Sequence, residues 1–124
     1  MGAARSNDLW SLVDTAMFEA TSRAETIAEV NRLLRKCVAK APCGFISEAN
    51  TTLLRENLTV PQLATFWRGH TRTEARRYYL PIIAAEFRGT TYVLDGTRRI
   101  NEWVDFGDKE THETIIIRHK GSGK

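Results

Sequence analysis

The sequence predicts an α+β domain in which helices come first and a small mixed β-sheet with further helices follows. Three observations predict it. The first third places Leu9, Leu12 and Val13, then Ile27, Val30, Leu33 and Leu34, at helical spacing with charged residues between them. The last third holds short runs rich in β-branched and aromatic residues, 82–87, 90–94 and 114–118, broken by turn residues. The run 90–94 passes through Asp95-Gly96 directly into a second helical pattern over 98–106. A chain of 124 residues fits one domain with its own core. It is expected to divide into a helical N-terminal addition (1–57), a core (58–118) and a flexible tail (119–124).

The elements follow in order. Asn7 or Asp8 is placed to cap a first helix bearing Leu9, Leu12, Val13, Ala16 and Met17. Ser22-x-x-Glu25 has the form of a capping box. The helix it opens carries Ile27, Val30, Leu33, Leu34, Cys37 and Val38 on one stripe, with Glu29, Arg32, Arg35 and Lys36 behind, and Ala41-Pro42-Cys43-Gly44 ends it. A short third helix is expected from about Ser47 through Leu53 and Leu54. These apolar stripes read as core or as partner-facing surface, and a homodimer through the N-terminal helices is one use of the latter. Leu58-Thr59-Val60-Pro61-Gln62-Leu63 reads either as a short edge strand, with Pro61 where no ladder bond is needed, or as the opening of a helix. Arg68-Gly69-His70-Thr71-Arg72 reads as a loop, and 73–79 as a helix stopped by Leu80-Pro81. The runs 82–87 and 90–94 form a hairpin about Arg88-Gly89. The helix 98–106 turns Ile100, Trp103 and Val104 inward and closes at Gly107. Ile115-Ile116-Ile117 predicts a strand buried on both faces.

Several function classes drop out. No apolar run approaches the roughly 20 residues that span a bilayer. The first thirty residues hold no long apolar segment between basic flanks, so the expected address is cytoplasmic, away from membranes. Cys37 and Cys43 match no zinc spacing and are expected as free thiols in a reducing compartment. His70, His112 and His119 are too scattered for a metal site.

Charge placement is more informative than its total of +3. Residues 59–99 hold seven arginines (68, 72, 76, 77, 88, 98, 99) against Glu74, Glu86 and Asp95, whereas the stretches on either side are neutral or slightly acidic. Arginine is the better fork for phosphate oxygens, so the field points to a nucleotide or a nucleic acid as partner. Its sharpest feature is Asp95-Gly96-Thr97-Arg98-Arg99. A strand that runs through glycine into a helix presents backbone N–H groups at the positive end of the helix dipole, which suits phosphate. Gly96 allows close approach, Thr97 is a candidate cap and donor, and Arg98 and Arg99 supply charge. The two arginines diverge by about 100° on a helix, so one is expected to face the ligand and the other solvent or an acid. Asp95 reads as a capping or structural residue, or as a catalytic carboxylate together with Glu86. Trp67, Tyr78 and Tyr79 lie among the arginines and are able to stack a base, although core packing is the ordinary role for Trp67 and one of the tyrosines.

"YVLDGTRRINEW" (92–103), preceded by "LPIIAAEFRGT" and followed by "FG…ETIIIR", resembles the ParB/sulfiredoxin superfamily over about 80–118. Its members share a Pro-Ile/Val strand, a turn, a strand ending in a Gly-x-x-Arg loop, a helix, a glycine and a final apolar strand. "LTVPQLA" (58–64) resembles the family's first strand, and "RGHTR" (68–72) falls where a basic loop meets the ligand. The resemblance implies nucleotide binding, CTP in ParB-type members and ATP in sulfiredoxin, with Gly96, Thr97, Arg98 and Arg99 as phosphate loop and Arg72 and His70 opposing. It also implies that any reaction is phosphoryl transfer or phosphodiester hydrolysis, with Mg²⁺ bridging the phosphates of a nucleoside triphosphate. Sulfiredoxin has a cysteine where Thr97 stands, so sulfinic-acid repair is not expected. Two other readings stay open. One is a winged-helix DNA-binding regulator using 59–80, with Arg72, Arg76 and Arg77 on the nucleic acid and 82–94 as the wing. The other is a non-catalytic interaction module.

Overall fold

Four strands form one mixed sheet in a computed structural model that describes residues 6–17, 22–69 and 80–120. They are β1 (Thr51–Thr59), β2 (Ile82–Phe87), β3 (Thr90–Asp95) and β4 (Thr111–His119), in the order β1-β4-β2-β3. β4 pairs antiparallel with β1 and parallel with β2, and β2 and β3 form an antiparallel hairpin about Arg88-Gly89. The hairpin and the doubly buried Ile115-Ile116-Ile117 stand as the residue pattern predicts, because apolar side chains pack on both faces of the sheet.

Among the described residues, four helices cover the sheet: α1 (Ser6–Met17), α2 (Arg23–Cys37), α3 (Val60–Leu63) and α4 (Thr97–Phe106). Alternation along the strands sorts the core into two clusters. Leu53, Ile83, Ala85, Phe87, Leu94, Ile115 and Ile117 face Leu9, Trp10 and Val13 of α1 and Val30, Leu33 and Leu34 of α2. Leu58, Ile82, Val93 and Ile116 face Leu63 of α3 and Ile100 of α4. Ser22 caps α2, its hydroxyl accepting from the Glu25 amide. Gly107, left-handed at φ 67°, closes α4.

Several expectations need correction. No third helix runs from Ser47. The Ser47 amide donates to the Asn50 side chain, the Thr51 hydroxyl donates to the Ser47 carbonyl, and the turn so closed launches β1. Leu53, Leu54, Arg55 and Glu56 favour helix locally, but full-length pairing with β4 overrides that preference. The boundary expected at 57/58 falls inside β1, which spans Thr51–Thr59. At 58–63 both readings hold in part: the strand runs to Thr59, and Thr59 and Gln62 then form a capping box for the single turn of α3, with Pro61 in its first positions. Helix α1 starts at Ser6, so Asn7 and Asp8 lie inside its first turn. Val104 is exposed. The apolar stripes of α1 and α2 face the sheet.

Candidate functional site

Gly96 is where β3 gives way to α4, and its role is set by geometry. Its φ of 120° is a left-handed value that side chains resist. A Cβ there would stand 2.3 Å from Ile82 Cδ1, on the neighbouring strand, and 3.3 Å from an Arg99 guanidinium nitrogen. The space in front of Gly96 is thus filled by the protein's own atoms. Gly96 also occupies the cap position and brings no side chain to it, so Thr97, expected as cap, is instead the first helical residue and is buried.

The two arginines do diverge. Arg99 is buried, and its guanidinium donates to the Leu80 carbonyl at 2.5 Å and to Asp95 Oδ2 at 3.4 Å. It ties the first turn of α4 to the entry of β2 and the exit of β3. This corrects the expectation that Arg99 forms part of a ligand-facing phosphate loop. Arg98 is exposed, and its guanidinium makes no hydrogen bond or ion pair among the described residues. The first turn of α4 carries no acidic side chain. A cation therefore sits on the positive end of the helix dipole, an arrangement that costs the free protein roughly 0.3–1 kcal/mol.

The two candidate carboxylates are both engaged. Asp95 pairs with Arg99. Glu86 accepts from Arg118 Nε at 2.7 Å and from Arg118 Nη2 at 2.8 Å, a two-pronged fork between β2 and β4. That fork raises the Arg118 pKa, the hydrogen bond that Arg118 donates to Glu86 being the largest cause. Asp95 stands opposite Ile83 in the hairpin, three residues along β2 from Glu86 and thus about 10 Å away along the sheet. Each carboxylate is taken up by its own arginine, so as placed Asp95 and Glu86 do not fit a protein-held Mg²⁺. Among the described residues no group of three His, Cys, Asp or Glu is placed to hold a metal.

His70 and Arg72 lie outside the described residues, as do Arg76, Arg77, Tyr78 and Tyr79. Their meeting with Gly96 therefore stays an expectation from sequence. The remaining histidines are packing residues: His112 stacks on Trp103 with centroids 3.5 Å apart and contacts Asp108, and His119 stacks on Phe45. Both cysteines are free, and burial pushes the Cys37 thiol up to about 11.

Sequence reasoning missed the surroundings of Arg98. Arg68 is turned back on its own loop, donating to the carbonyls of Ala64 and Phe66 and, through Nε, to Asn101 Oδ1 at 2.9 Å. Asn101 lies one turn after Arg98 on the same side of α4. Trp67, assigned by ordinary expectation to the core, is 39% exposed. Its N–H donates to Thr91 O and its carbonyl accepts from Val93 N–H, so it forms a one-residue parallel bridge on the outer edge of β3. No local signal announces either contact, since each depends on where 64–69 docks against β3 and α4.

Family models, curated proteins and solved structures were compared with the chain, and none matches. No helix among the described residues is long and apolar enough to cross a membrane.

Proposed function

We propose that this protein binds a phosphate-bearing ligand, a nucleotide or a nucleic-acid backbone, at the N-terminal end of α4, with Arg98 as the contacting cation. The observation that carries the reading is Arg98 itself. It is exposed, without an ion pair among the described residues, and placed where the helix dipole makes a cation unfavourable. An external anion removes that penalty and adds a charge-assisted hydrogen bond. Gly96 and Arg99 serve as framework: the glycine lets α4 start hard against Ile82, and the buried arginine fixes the angle of the helix.

The reading is one of binding rather than phosphoryl transfer. Asp95 and Glu86 are each held by an arginine, which ties both carboxylates into the framework. Any Mg²⁺ would arrive with the triphosphate, and no step is drawn through it. We retain a ParB/sulfiredoxin-like fold as part of the proposal. The run β2, turn, β3, glycine loop, α4, glycine, β4 supports it. The winged-helix alternative is not favoured, because β2 is an interior strand buried along most of its length and α3 is a single turn. A homodimer through the N-terminal helices is not favoured either, because their apolar stripes face the sheet.

The test is a pair of measurements on Arg98→Glu. In the free protein the acid complements the helix dipole, so unfolding stability should rise by roughly 0.3–1 kcal/mol. In the presence of CTP, ATP or a short oligonucleotide, the wild type should gain thermal stability by mass action and the variant should not. Ligand-induced stabilisation that is undiminished in Arg98→Glu, or none in the wild type with any of these ligands, overturns the proposal.

A further inference from the structure

We infer that Trp67 is a base-stacking platform and that the ligand of this surface is single-stranded nucleic acid. The inference rests on the phosphate reading of Arg98 and adds a second contact point, one that recognises a nucleobase. Trp67 is held from three sides. Its backbone is hydrogen-bonded in both directions to β3, at 2.8 and 2.9 Å. Its ring leans on Tyr92 with centroids 5.5 Å apart. The backbone of Gly69 passes so close to the indole that a Cβ there would stand 2.3 Å from Cη2 and 2.4 Å from Cζ2. The indole is thus fixed in place while 39% of the residue stays exposed. A pinned aromatic side chain loses little side-chain entropy on stacking.

Its charged surroundings set it apart from the other large apolar side chains exposed among the described residues. Val104 and Phe106 lie toward the C-terminal end of α4, on either side of Asp105 and away from the first turn that carries Arg98. Trp67 is followed directly by Arg68, whose Nε bonds Asn101, one turn along α4 from Arg98. Arg68 and Asn101 therefore link the chain beside the indole to the turn of α4 that carries Arg98. Aromatic side chains on which bases stack, beside cations that track the backbone, are the recurring parts of single-strand binding sites. A base stacked on the exposed edge of a sheet, with a phosphate met on an adjoining helix, suits a strand lying across the surface.

The test measures binding of a fluorescently labelled oligothymidylate and of an abasic oligomer with the same number of phosphates. Wild type should prefer the oligothymidylate by about fivefold to a hundredfold, the range for one stacked base. Trp67→Leu should lower affinity for the oligothymidylate to the abasic level while leaving abasic binding unchanged. Trp67→Phe should keep most of the preference, and adding the oligothymidylate should quench the tryptophan emission of the wild type. Should Trp67→Leu not fold, the Trp67→Phe affinities and the wild-type quenching decide the matter. Equal wild-type affinity for both oligomers overturns the stacking inference and leaves the phosphate reading standing. An equal loss for both oligomers in Trp67→Leu also overturns it, because the indole would then be only a support. Failure of the wild type to bind either oligomer overturns the stacking inference, and the nucleotide arm of the Arg98 experiment then decides the phosphate reading separately.

Discussion

At the scale of single residues, the turn 95–99 divides its work between framework and surface, and the division is measurable. Gly96 meets two separate demands, a left-handed φ and the approach of Ile82 Cδ1 to 2.3 Å from where a Cβ would lie. Gly96→Ala should therefore cost about 2–4 kcal/mol, part backbone strain and part overpacking. The two parts separate in a double-mutant cycle. Ile82→Val deletes the offending Cδ1 and leaves Cγ1 at 3.4 Å, an ordinary contact. By itself that change costs roughly 0.5–1.5 kcal/mol. The pair Gly96→Ala/Ile82→Val should be less destabilised than the sum of the singles by about 1 kcal/mol or more, read from urea unfolding. Strict additivity would mean that Ile82 does not press on this turn. Arg98 and Arg99 show why neighbours of one residue type cannot share one role. Arg99 is buried against the Leu80 carbonyl and Asp95, and Arg98 looks outward.

At the scale of elements, the joints matter more than the segments. The α4–β4 joint is organised by Asp108, whose carboxylate accepts from the Glu110 amide at 2.7 Å and contacts His112, itself stacked on Trp103. The Glu110 amide is the largest cause holding the Asp108 carboxyl below its ordinary pKa, with His112 assisting. A depressed folded value contributes stability that is present above the unfolded pKa near 3.9 and is lost as pH falls through the lower folded value. Asp108→Asn keeps an oxygen for the Glu110 amide and removes the charge. Its melting temperature should lie below wild type at pH 7, and the gap should close as pH falls below about 4. A gap that stays constant down to pH 2.5 would show that the charge contributes nothing. Joints of this kind also mark what was legible in the sequence. The hairpin, α2 with its Ser22 cap, α4 with its closing Gly107 and the buried β4 were readable because each has a local signal: a turn glycine, a capping hydroxyl, an unbroken isoleucine run. Strand β1 was not readable, since Leu-Leu-Arg-Glu favours helix and only pairing with β4, far along the chain, makes it a strand. The Glu86–Arg118 fork was hidden for the same reason, because it depends on the parallel register of β2 against β4. The divergence of Arg98 and Arg99 followed from helical periodicity, but that Arg99 is the inward one depends on Leu80 and Asp95.

At the scale of the molecule, the sheet is closed only when its first-third elements are in place. Residues 58–118 contain β2, β3, α4 and most of β4, the part that the sequence marks as a core. Yet β1 supplies the partner for one edge of β4, and α1 and α2 cover the face bearing Ile83, Ala85, Phe87, Leu94, Ile115 and Ile117. Burial of a large apolar side chain contributes about 1.5–3 kcal/mol. Uncovering most of that face therefore removes on the order of 10 kcal/mol, comparable to the whole stability of a typical domain. The bared edge of β4 would also offer a row of unpaired backbone groups to other chains. A fragment of residues 58–118 should accordingly show no cooperative thermal transition, bind a dye that reports exposed apolar surface, and associate in a concentration-dependent way. The full chain should melt in one transition. Adding residues 6–57 back as a separate polypeptide should restore a cooperative melt if the two pieces associate through β1–β4 pairing and the α1–α2 face. A fragment 58–118 that unfolds cooperatively by itself, with the urea dependence expected for its length, would show that the first 57 residues are an ornament on a finished core, and the two-faced account of the sheet would have to be abandoned.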